Sequence, residues 1–464
     1  MEWFSGLQAL LKGQGQVVRT ESVLSQHGRD FTYHKPELPD AVVYPESTDD
    51  VVAVLCFANE RWIPVVPFGA GSSLEGHVIP VAGGISLDMT RMNKILEFRP
   101  GDFVARVQPG VTLTQLNAEL QSHGVFFPVD PGADATIGGM TATNASGTNA
   151  VRYGAMRDAV RGLKVVLADG RIIKTGGMAV KSSAGYNLTS LFVGSEGTLG
   201  VFTEITLKLH GIPESIVAAR AVFSDIDSAG RAATAMVGSG MSVGRVELVD
   251  ATTVAAVNSY KGTAYEEQPT LFLEFSGSQA SVAHDVHSAR EFCLSEHCQA
   301  FLFESDSTAR ARLWEARHQA AIALMAQEPG KRMMVTDVCV PITDLPLALK
   351  HARETIAAHG LNGTILGHVG DGNYHAGFMV NPDDDKDITR LQQVNQEIVS
   401  YALKRGGTST GEHGLGLGKG RYLLDEFGTE AVNLMRNIKG LMDPNGIMNP
   451  RKGVDFRSYE ETVG

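Results

Sequence analysis

Two histidines, His368 and His375, bracket the run Val369-Gly370-Asp371-Gly372-Asn373-Tyr374. β-formers lie on both sides, Thr364-Ile365-Leu366 before and Phe378-Met379-Val380 after, and Asp371-Gly372 is a two-residue turn signal. Folding the chain about that turn sets Gly370 against Asn373, Val369 against Tyr374 and His368 against His375, with opposed Cβ atoms roughly 4.5–5.5 Å apart. Two imidazoles at that spacing can converge on one metal ion; the plainer alternative is a hydrogen-bonded structural pair. A third ligand is sought in Gly411-Glu412-His413-Gly414, inside a run from Gly406 to Gly420 too glycine-rich for an ordinary helix. Adjacent residues of an extended stretch point opposite ways, so either Glu412 binds the metal while His413 faces a substrate, or the reverse. Two histidines, one carboxylate and open positions suit Zn, Mn or Fe(II), and the sequence does not choose among them. Arg317 adds a cation. With Trp314, His318 and Ala321 it shares one face of a helix, and an Arg beside a Trp can hold a carboxylate bidentately, unless that face is simply solvated.

The chain that must position these groups has 464 residues, of which 43% are hydrophobic, enough for two or three domains and a large core. Its formal charge is −12, which argues against non-specific binding of nucleic acid or an anionic membrane surface. Cys56, Cys293, Cys298 and Cys339 form no C-x-x-C pair, so a structural zinc site, an iron–sulfur cluster and an attached c-type haem lack ligands. Scattered thiols suit a reducing compartment. No run of about 18 apolar residues spans a membrane. The start, Met1-Glu2-Trp3-Phe4, carries an early acid and does not read as a signal peptide. A cytoplasmic protein is expected, or one held at the inner membrane by an electron-transfer partner. Trp3 to Leu11 reads as a short amphipathic surface helix.

Residues 38–90 read strand, helix, strand. Ala41-Val42-Val43-Tyr44 is followed by a helix capped at Ser47 or Thr48, then by Ile63-Pro64-Val65-Val66-Pro67 leading into Gly69-Ala70-Gly71-Ser72-Ser73. A second unit has a strand over 104–107, a helix over 112–123 and a strand over 125–128. Residues 131–154 are rich in small residues, a composition suited to backbone lying against something flat. Asp169-Gly170 is a hairpin turn. Beyond Ile212-Pro213-Glu214, strands at 216–223, 270–275, 300–303 and 333–340 alternate with helices at 226–238, 279–296, 307–327 and 343–359. That alternation predicts a separate α+β domain with an antiparallel sheet. A last helix is expected near 428–442. Two motifs mislead: Gly69-x-Gly71 has its third glycine misplaced at Gly76 for a dinucleotide loop, and Gly418-Lys419-Gly420 lacks the Ser/Thr of a P-loop.

In combination, several motifs resemble the FAD-linked oxidases of the vanillyl-alcohol-oxidase/p-cresol-methylhydroxylase fold. They are Pro67-Phe68-Gly69-Ala70-Gly71-Ser72-Ser73-Leu74, Pro131-Gly132 with Ile137-Gly138-Gly139, Asn144-Ala145-Ser146-Gly147, Gly194-Ser195-Glu196-Gly197-Thr198-Leu199-Gly200, the His368–His375 hairpin, Gly411-Glu412-His413-Gly414 and Met448-Asn449-Pro450. The resemblance covers about 38–453 and is nearest to the cytochrome-type D-lactate dehydrogenase branch. It implies an α+β protein: an N-terminal segment 1–37, a two-part FAD-binding domain 38–215, a substrate or cap domain 216–415, and a C-terminal segment 416–464 that packs back on the FAD domain. Residues 67–74 would wrap the FAD pyrophosphate with backbone N–H groups. Pro131, Gly132, Ile137, Gly138, Gly139, Asn144, Ser146, Gly147, Glu196, Gly197, Gly200 and Val201 would line the rest, with Asn449 approaching the flavin. Ser72 stands where members with covalent flavin carry a His, which implies non-covalent FAD. Arg451 departs from the small or neutral residue usual before Lys452.

By the same resemblance His368, His375 and Glu412 are metal ligands, His413 is the base, and Arg317 and Asn373 bind substrate. The implied reaction oxidises a D-2-hydroxy acid, with proton removal by His413 and hydride transfer to flavin N5. Electrons then pass to a separate acceptor: a cytochrome, a quinone or another flavoprotein. Hydroxyglutarate-type relatives place a basic residue just before the Asp aligned with Val335-Thr336-Asp337; none stands here, which favours D-lactate. Glycolate or D-2-hydroxyglutarate oxidation is the nearest alternative. An ether-lipid synthase-like transferase would want a phosphate-binding basic cluster, which is not seen. Oligomeric state is left open, a homodimer included.

Overall fold

The computed structural model describes residues 3–11, 13 and 15–455; Met1-Glu2 and residues 456–464 of the expected end segments lie outside them. The chain divides into two compact units. The first comprises Met1–Ser146, Gly154–Ile212 and Glu412–Gly464, and the second comprises Gly147–Tyr153 and Pro213–Gly411.

The first unit is built on two sheets. Ala41–Val43 and Val65–Phe68 lie parallel on either side of Ile85–Asp88, and Val17–Val18 pairs antiparallel with Ala41–Val43. The crossover helix, Thr48–Glu60, starts at a capping box: the Ser47 hydroxyl accepts from the Asp50 N–H, and the Asp50 carboxylate accepts from the Ser47 N–H. Its apolar face, Val51, Val54, Leu55 and Ala58, is fully buried, each large side chain contributing roughly 1.5–3 kcal/mol. The second sheet is antiparallel in the order Ile95–Arg99, Val104–Val107, Val201–Lys208, Val160–Val166, Ile172–Gly176. The hairpin over Asp169-Gly170 forms as its sequence requires, with Gly170 at φ +84°.

The C-terminal segment returns to this unit. Helix Leu423–Met442 begins earlier than the sequence suggests and breaks at Gly428, where φ is 76° and ψ 168°. Beyond it the Val65 N–H donates to the Ile447 carbonyl at 2.8 Å and the Asn449 N–H to the Val65 carbonyl at 2.9 Å, extending the first sheet by one bridge.

The second unit is the expected α+β domain. Its antiparallel sheet runs Ala300–Glu304, Ser215–Val222, Thr270–Gly277, Val243–Val249, Thr364–Gly367, Asn373–Val380, Arg332–Val335, with Val338–Cys339 also beside Asn373–Val380. Helix Ile226–Gly238 packs on Gln279–Ser295 and Leu345–Ala358. Four elements escape the sequence pattern, strand Val243–Val249 and helices Ala150–Tyr153, Ala251–Lys261 and Asp385–Leu403, and the strand expected over 333–340 is two, Arg332–Val335 and Val338–Cys339. The single helix expected over 307–327 is two, Ser307–His318 and Ala320–Gln327, meeting at Gln319.

The hairpin of the two histidines forms in another register. Leu366, not His368, faces His375, and Ile365 faces Ala376. The turn is not the two-residue Asp371-Gly372 loop, because His368–Gly372 leaves the ladder. The Gly370 N–H is drawn to the Val246 carbonyl (3.2 Å), and the Val340 N–H bonds to the Gly372 carbonyl (3.1 Å). Gly372 has φ +86°, and a Cβ there would lie 2.1 Å from the Val340 carbonyl oxygen, so the neighbouring strand sets this turn rather than hairpin preference alone.

Candidate active site

A cavity of about 960 Å³ opens in the first unit. The loop after strand Val65–Phe68 forms one wall with Pro67, Gly69, Ala70, Gly71, Ser72 and Ser73, and Pro131, Gly139, Ser146, Glu196, Gly197 and Asn449 stand among the remaining lining residues. A smaller space of about 410 Å³ shares Pro67, Gly69, Thr136, Gly139 and Gly197 and adds Gly138, Gly200 and Val201. Four expected cofactor residues are placed differently. Ile137 is fully buried in the apolar core. Asn144 caps helix Ile137–Thr143 at φ +53° and accepts from the Arg157 N–H. Gly132 closes a turn on Asp130, and Gly147 belongs to the second unit. The lining also includes Leu74, Thr136 and Met140, which lie within the expected segments, and His77, which carries no motif signal and was not foreseen.

The glycine loop is shaped for an anion. Gly71 has φ +66°, and a Cβ there would lie 2.8 Å from the Phe68 ring. Among the described residues the N–H groups of Ala70, Gly71, Ser72, Ser73 and Leu74 donate to no protein acceptor, and the buried Ser73 hydroxyl has no partner. Consecutive undonated N–H groups make a concavity for phosphate oxygens.

Along the cavity wall runs a chain of buried polar groups. Glu196 accepts from the N–H groups of Leu415 (2.6 Å) and Gly416 (2.9 Å) and lies 3.2 Å from His77 Nε2. Burial pushes its carboxyl up, but His77 and the two N–H groups together pull it below the usual carboxylate range. The Asn449 amide donates to the carbonyls of Glu196 (2.7 Å) and His77 (3.2 Å), and its oxygen accepts from Lys452 (2.7 Å). Burial pushes the Lys452 ammonium down to about 7, against the raising influence of Glu196 and Asp30. Glu412 and His413, which begin the return of the chain to this unit, also line the cavity.

The second unit holds the histidine pair. The rings of His368 and His375 lie edge to face with centroids 5.6 Å apart, despite the changed register. Each is backed by a carboxylate that sequence reasoning did not single out as a site residue. His368 Nδ1 lies 2.7 Å from Glu247 Oε1, and His375 Nδ1 lies 3.5 Å from Asp337 Oδ1. Both acids are wholly buried. In metal sites generally, a carboxylate behind an imidazole orients the ring. Asp337 is held by the Asn373 amide (2.8 Å) and the Thr410 hydroxyl (2.7 Å), so the Asn373 amide nitrogen is turned to that acid, while its oxygen has no partner among the described residues. Arg317, 9% exposed, pairs with Glu247 at 2.8 Å, and its Nε has no partner among the described residues. Arg317 is therefore not on a solvated face: Trp314 beside it is also buried and stacks on His318.

A family model described as "FAD linked oxidases, C-terminal domain" matches residues 212–453, and one described as "FAD binding domain" matches 39–176. The "Probable D-lactate dehydrogenase, mitochondrial" of Danio rerio is 43% identical over 94% of this chain and 88% of its own length. The chain belongs to the FAD-linked oxidase family. The "D-lactate dehydrogenase [cytochrome], mitochondrial" of Arabidopsis thaliana is 42% identical over 92% of this chain and 76% of its own. The crystal structure of p-cresol methylhydroxylase superposes with a TM-score of 0.80 over 98% of this chain and 96% of its own, at 17% identity, which fixes the fold. The expected FAD-linked oxidase architecture stands on these matches.

The residues present fit FAD: the undonated N–H groups and the unpartnered Ser73 hydroxyl suit the pyrophosphate, and the glycine-lined cavity suits the rings. One expectation is overturned. Both relatives are named as mitochondrial, which points away from the cytoplasm. Among the described residues no helix is long and apolar enough to cross a membrane.

Proposed function

We propose that this FAD-linked oxidase converts D-lactate to pyruvate, using non-covalent FAD, a divalent metal (Zn or Mn, with Fe also compatible) and a separate electron acceptor. The observation that carries this reading is the cluster in the second unit: two histidines, each with a buried carboxylate behind it, and a buried arginine with an undonated Nε–H. Nitrogen ligands backed by carboxylates suit a transition-metal ion, and a buried guanidinium suits a small carboxylate. The resemblance of D-lactate dehydrogenases to nearly the whole chain names the acid.

His368, His375 and Glu412 are the assigned metal ligands, and Arg317 holds the substrate carboxylate. A metal held by His368, His375 and Glu412 would supply Lewis acidity at the substrate hydroxyl, and FAD in the glycine-lined cavity would supply the hydride acceptor. His413 is assigned to accept the hydroxyl proton. Asn373 and Thr410 fix Asp337, which orients His375. Ser72, in place of a histidine in the glycine loop, leaves the flavin unlinked. The second unit is assigned as the substrate domain, and electrons leave to a cytochrome, a quinone or another flavoprotein.

The test is anaerobic mixing with D-lactate, L-lactate, glycolate and D-2-hydroxyglutarate, following the flavin absorbance. D-lactate is expected to bleach the flavin, and chelation to abolish the bleaching. Bleaching only by glycolate or hydroxyglutarate overturns the substrate and keeps the reaction class. A flavin that no hydroxy acid bleaches in metal-loaded protein overturns the reading.

A further inference from the structure

Strand Val243–Val249 reads as a run of β-formers interrupted by Arg245 and by Glu247, whose side chain is 0% exposed. Its two oxygens serve different partners. Oε1 lies 2.7 Å from His368 Nδ1, and Oε2 lies 2.8 Å from Arg317. One carboxylate therefore touches both a proposed metal ligand and the proposed holder of the substrate carboxylate. Resting on the reading above, we infer that Glu247 is a positioning residue through which metal loading and substrate binding share one anchor.

Three features make it an anchor rather than a chance ion pair. First, it stands on a strand paired on both sides, Glu247 opposite Phe272 and Leu248 opposite Gly367. The loop carrying His368 is tied to the same strand by the Gly370 N–H on the Val246 carbonyl. Second, an ionised carboxylate at Nδ1 accepts that nitrogen's proton, which leaves the Nε2 lone pair for a metal. Third, Glu247 meets only part of the guanidinium. The Nε–H of Arg317, in a side chain nine-tenths buried, has no partner among the described residues and remains for an anion. The carboxylate tethers one end of the Arg317 guanidinium without filling the fork. Asp337 provides the contrast. It backs His375 from 3.5 Å and is held by Asn373 and Thr410. Disturbing Asp337 should weaken the metal while leaving Arg317 in place, whereas disturbing Glu247 should weaken the metal and the Arg317 hold on the substrate carboxylate together.

The experiment uses the FAD-bound full chain and its Glu247→Gln, Glu247→Asp and Asp337→Asn variants. Manganese and zinc affinity are measured by calorimetry in the absence of substrate, and KM and kcat for D-lactate at saturating metal. Glu247→Gln is expected to weaken metal binding about 10–100-fold, the usual effect of removing an outer-layer partner. At saturating metal it is expected also to raise KM for D-lactate by a larger factor than it lowers kcat. Glu247→Asp, which keeps the charge but shortens its reach, should restore part of both. Asp337→Asn should weaken metal binding with a smaller rise in KM than Glu247→Gln gives. Metal affinity and KM both within about twofold of the parent in a soluble, FAD-bound Glu247 variant overturn the inference while leaving the proposed function intact. A parent protein that binds neither metal overturns both. Where neither Glu247 variant folds, nitrogen NMR of the parent decides. Neutral His368 protonated at Nδ1 is expected; protonation at Nε2 overturns the inference.

Discussion

The chain that carries Asn449 into the cofactor cavity is clamped just beyond helix Leu423–Met442, and the clamp is a buried ion pair. Lys439, 8% exposed, donates to the carbonyls of Thr198 and Met448, both at 2.8 Å, and pairs with Asp443, which is 2% exposed. Asp443 in turn accepts from the N–H groups of Ile447 (3.0 Å) and Met448 (2.8 Å). Burial lowers the Lys439 ammonium and Asp443 is the main influence holding it up. Asp443→Ala would strand a buried cation, at a cost of about 3–5 kcal/mol. The orphaned N–H groups add about 1–3 kcal/mol each when fully desolvated, but these costs are shared within one network and are not summed. Lys439 can also shed its proton, which limits the loss to the lower figures. A loss of about 3–5 kcal/mol corresponds to a fall in Tm of roughly 6–20 °C for a unit of this size. Thermal unfolding by circular dichroism, with flavin content measured after desalting, checks it. Asp443→Ala should melt in that lower range and lose FAD, because the bridge of Ile447 and Asn449 to Val65 loosens. A Tm within about 2 °C of the parent with full flavin, below the smallest expected shift, would refute the clamp.

Other perturbations follow from the same geometry. His413→Ala should lower D-lactate turnover by about 10²–10⁴-fold with FAD still bound; near-normal turnover, measured by dye reduction, removes it as the base. Gly71→Val places a β-branched side chain at φ +66° and against the Phe68 ring, a backbone cost of about 1–2 kcal/mol before the clash. The purified variant should be depleted of flavin, and full FAD content by absorbance contradicts that. Lys452, held near 7 when folded and at about 10.4 when unfolded, binds fewer protons in the native state across that window. Its contribution to stability therefore rises as pH rises from 7 and is lost as pH falls through the folded value. Compared with Lys452→Met by urea unfolding, the parent should gain about 2 kcal/mol between pH 7 and 9; a difference that does not change with pH shows that Lys452 is not buried as a near-neutral amine.

The secondary structure was legible where local chemistry and burial agree. The capped helix at Ser47, the strand at 104–107, the Asp169-Gly170 hairpin and the helices near 226–238, 279–296 and 343–359 read correctly because caps, turns and periodicity pointed one way. The failures have local causes. Strand Val243–Val249 carries Gly244, Arg245 and Glu247 within its apolar run, and polar residues in a central strand weaken its signal. The break at Gln319 leaves the helical periodicity around it intact, so two helices read as one. The register of the histidine hairpin was set by tertiary contacts of its loop with Val246 and Val340, which no two-residue turn signal contains.

The site was legible in its outer residues and hidden in its inner ones, for a reason that bears on how it works. His368, His375, Arg317, Glu412 and His413 announce themselves as polar residues among glycines or on one helix face. Glu247 and Asp337 do not, because each sits singly on or beside a strand among apolar neighbours, where an acid looks like an interruption rather than a ligand. Yet a fully buried carboxylate is costly unless a cation or donor meets it. In a strand otherwise built of β-formers, Glu247 was thus itself a signal: something positive or hydrogen-donating had to lie beside it. Both partners it found, His368 and Arg317, had been chosen on other grounds as ligand and substrate residues. The same reasoning explains why the histidines stay close although their register slipped. The ladder alone does not hold them together: His368, outside the ladder, has its own carboxylate partner, fixed to the central strand, while His375 remains in its strand with Asp337 behind it.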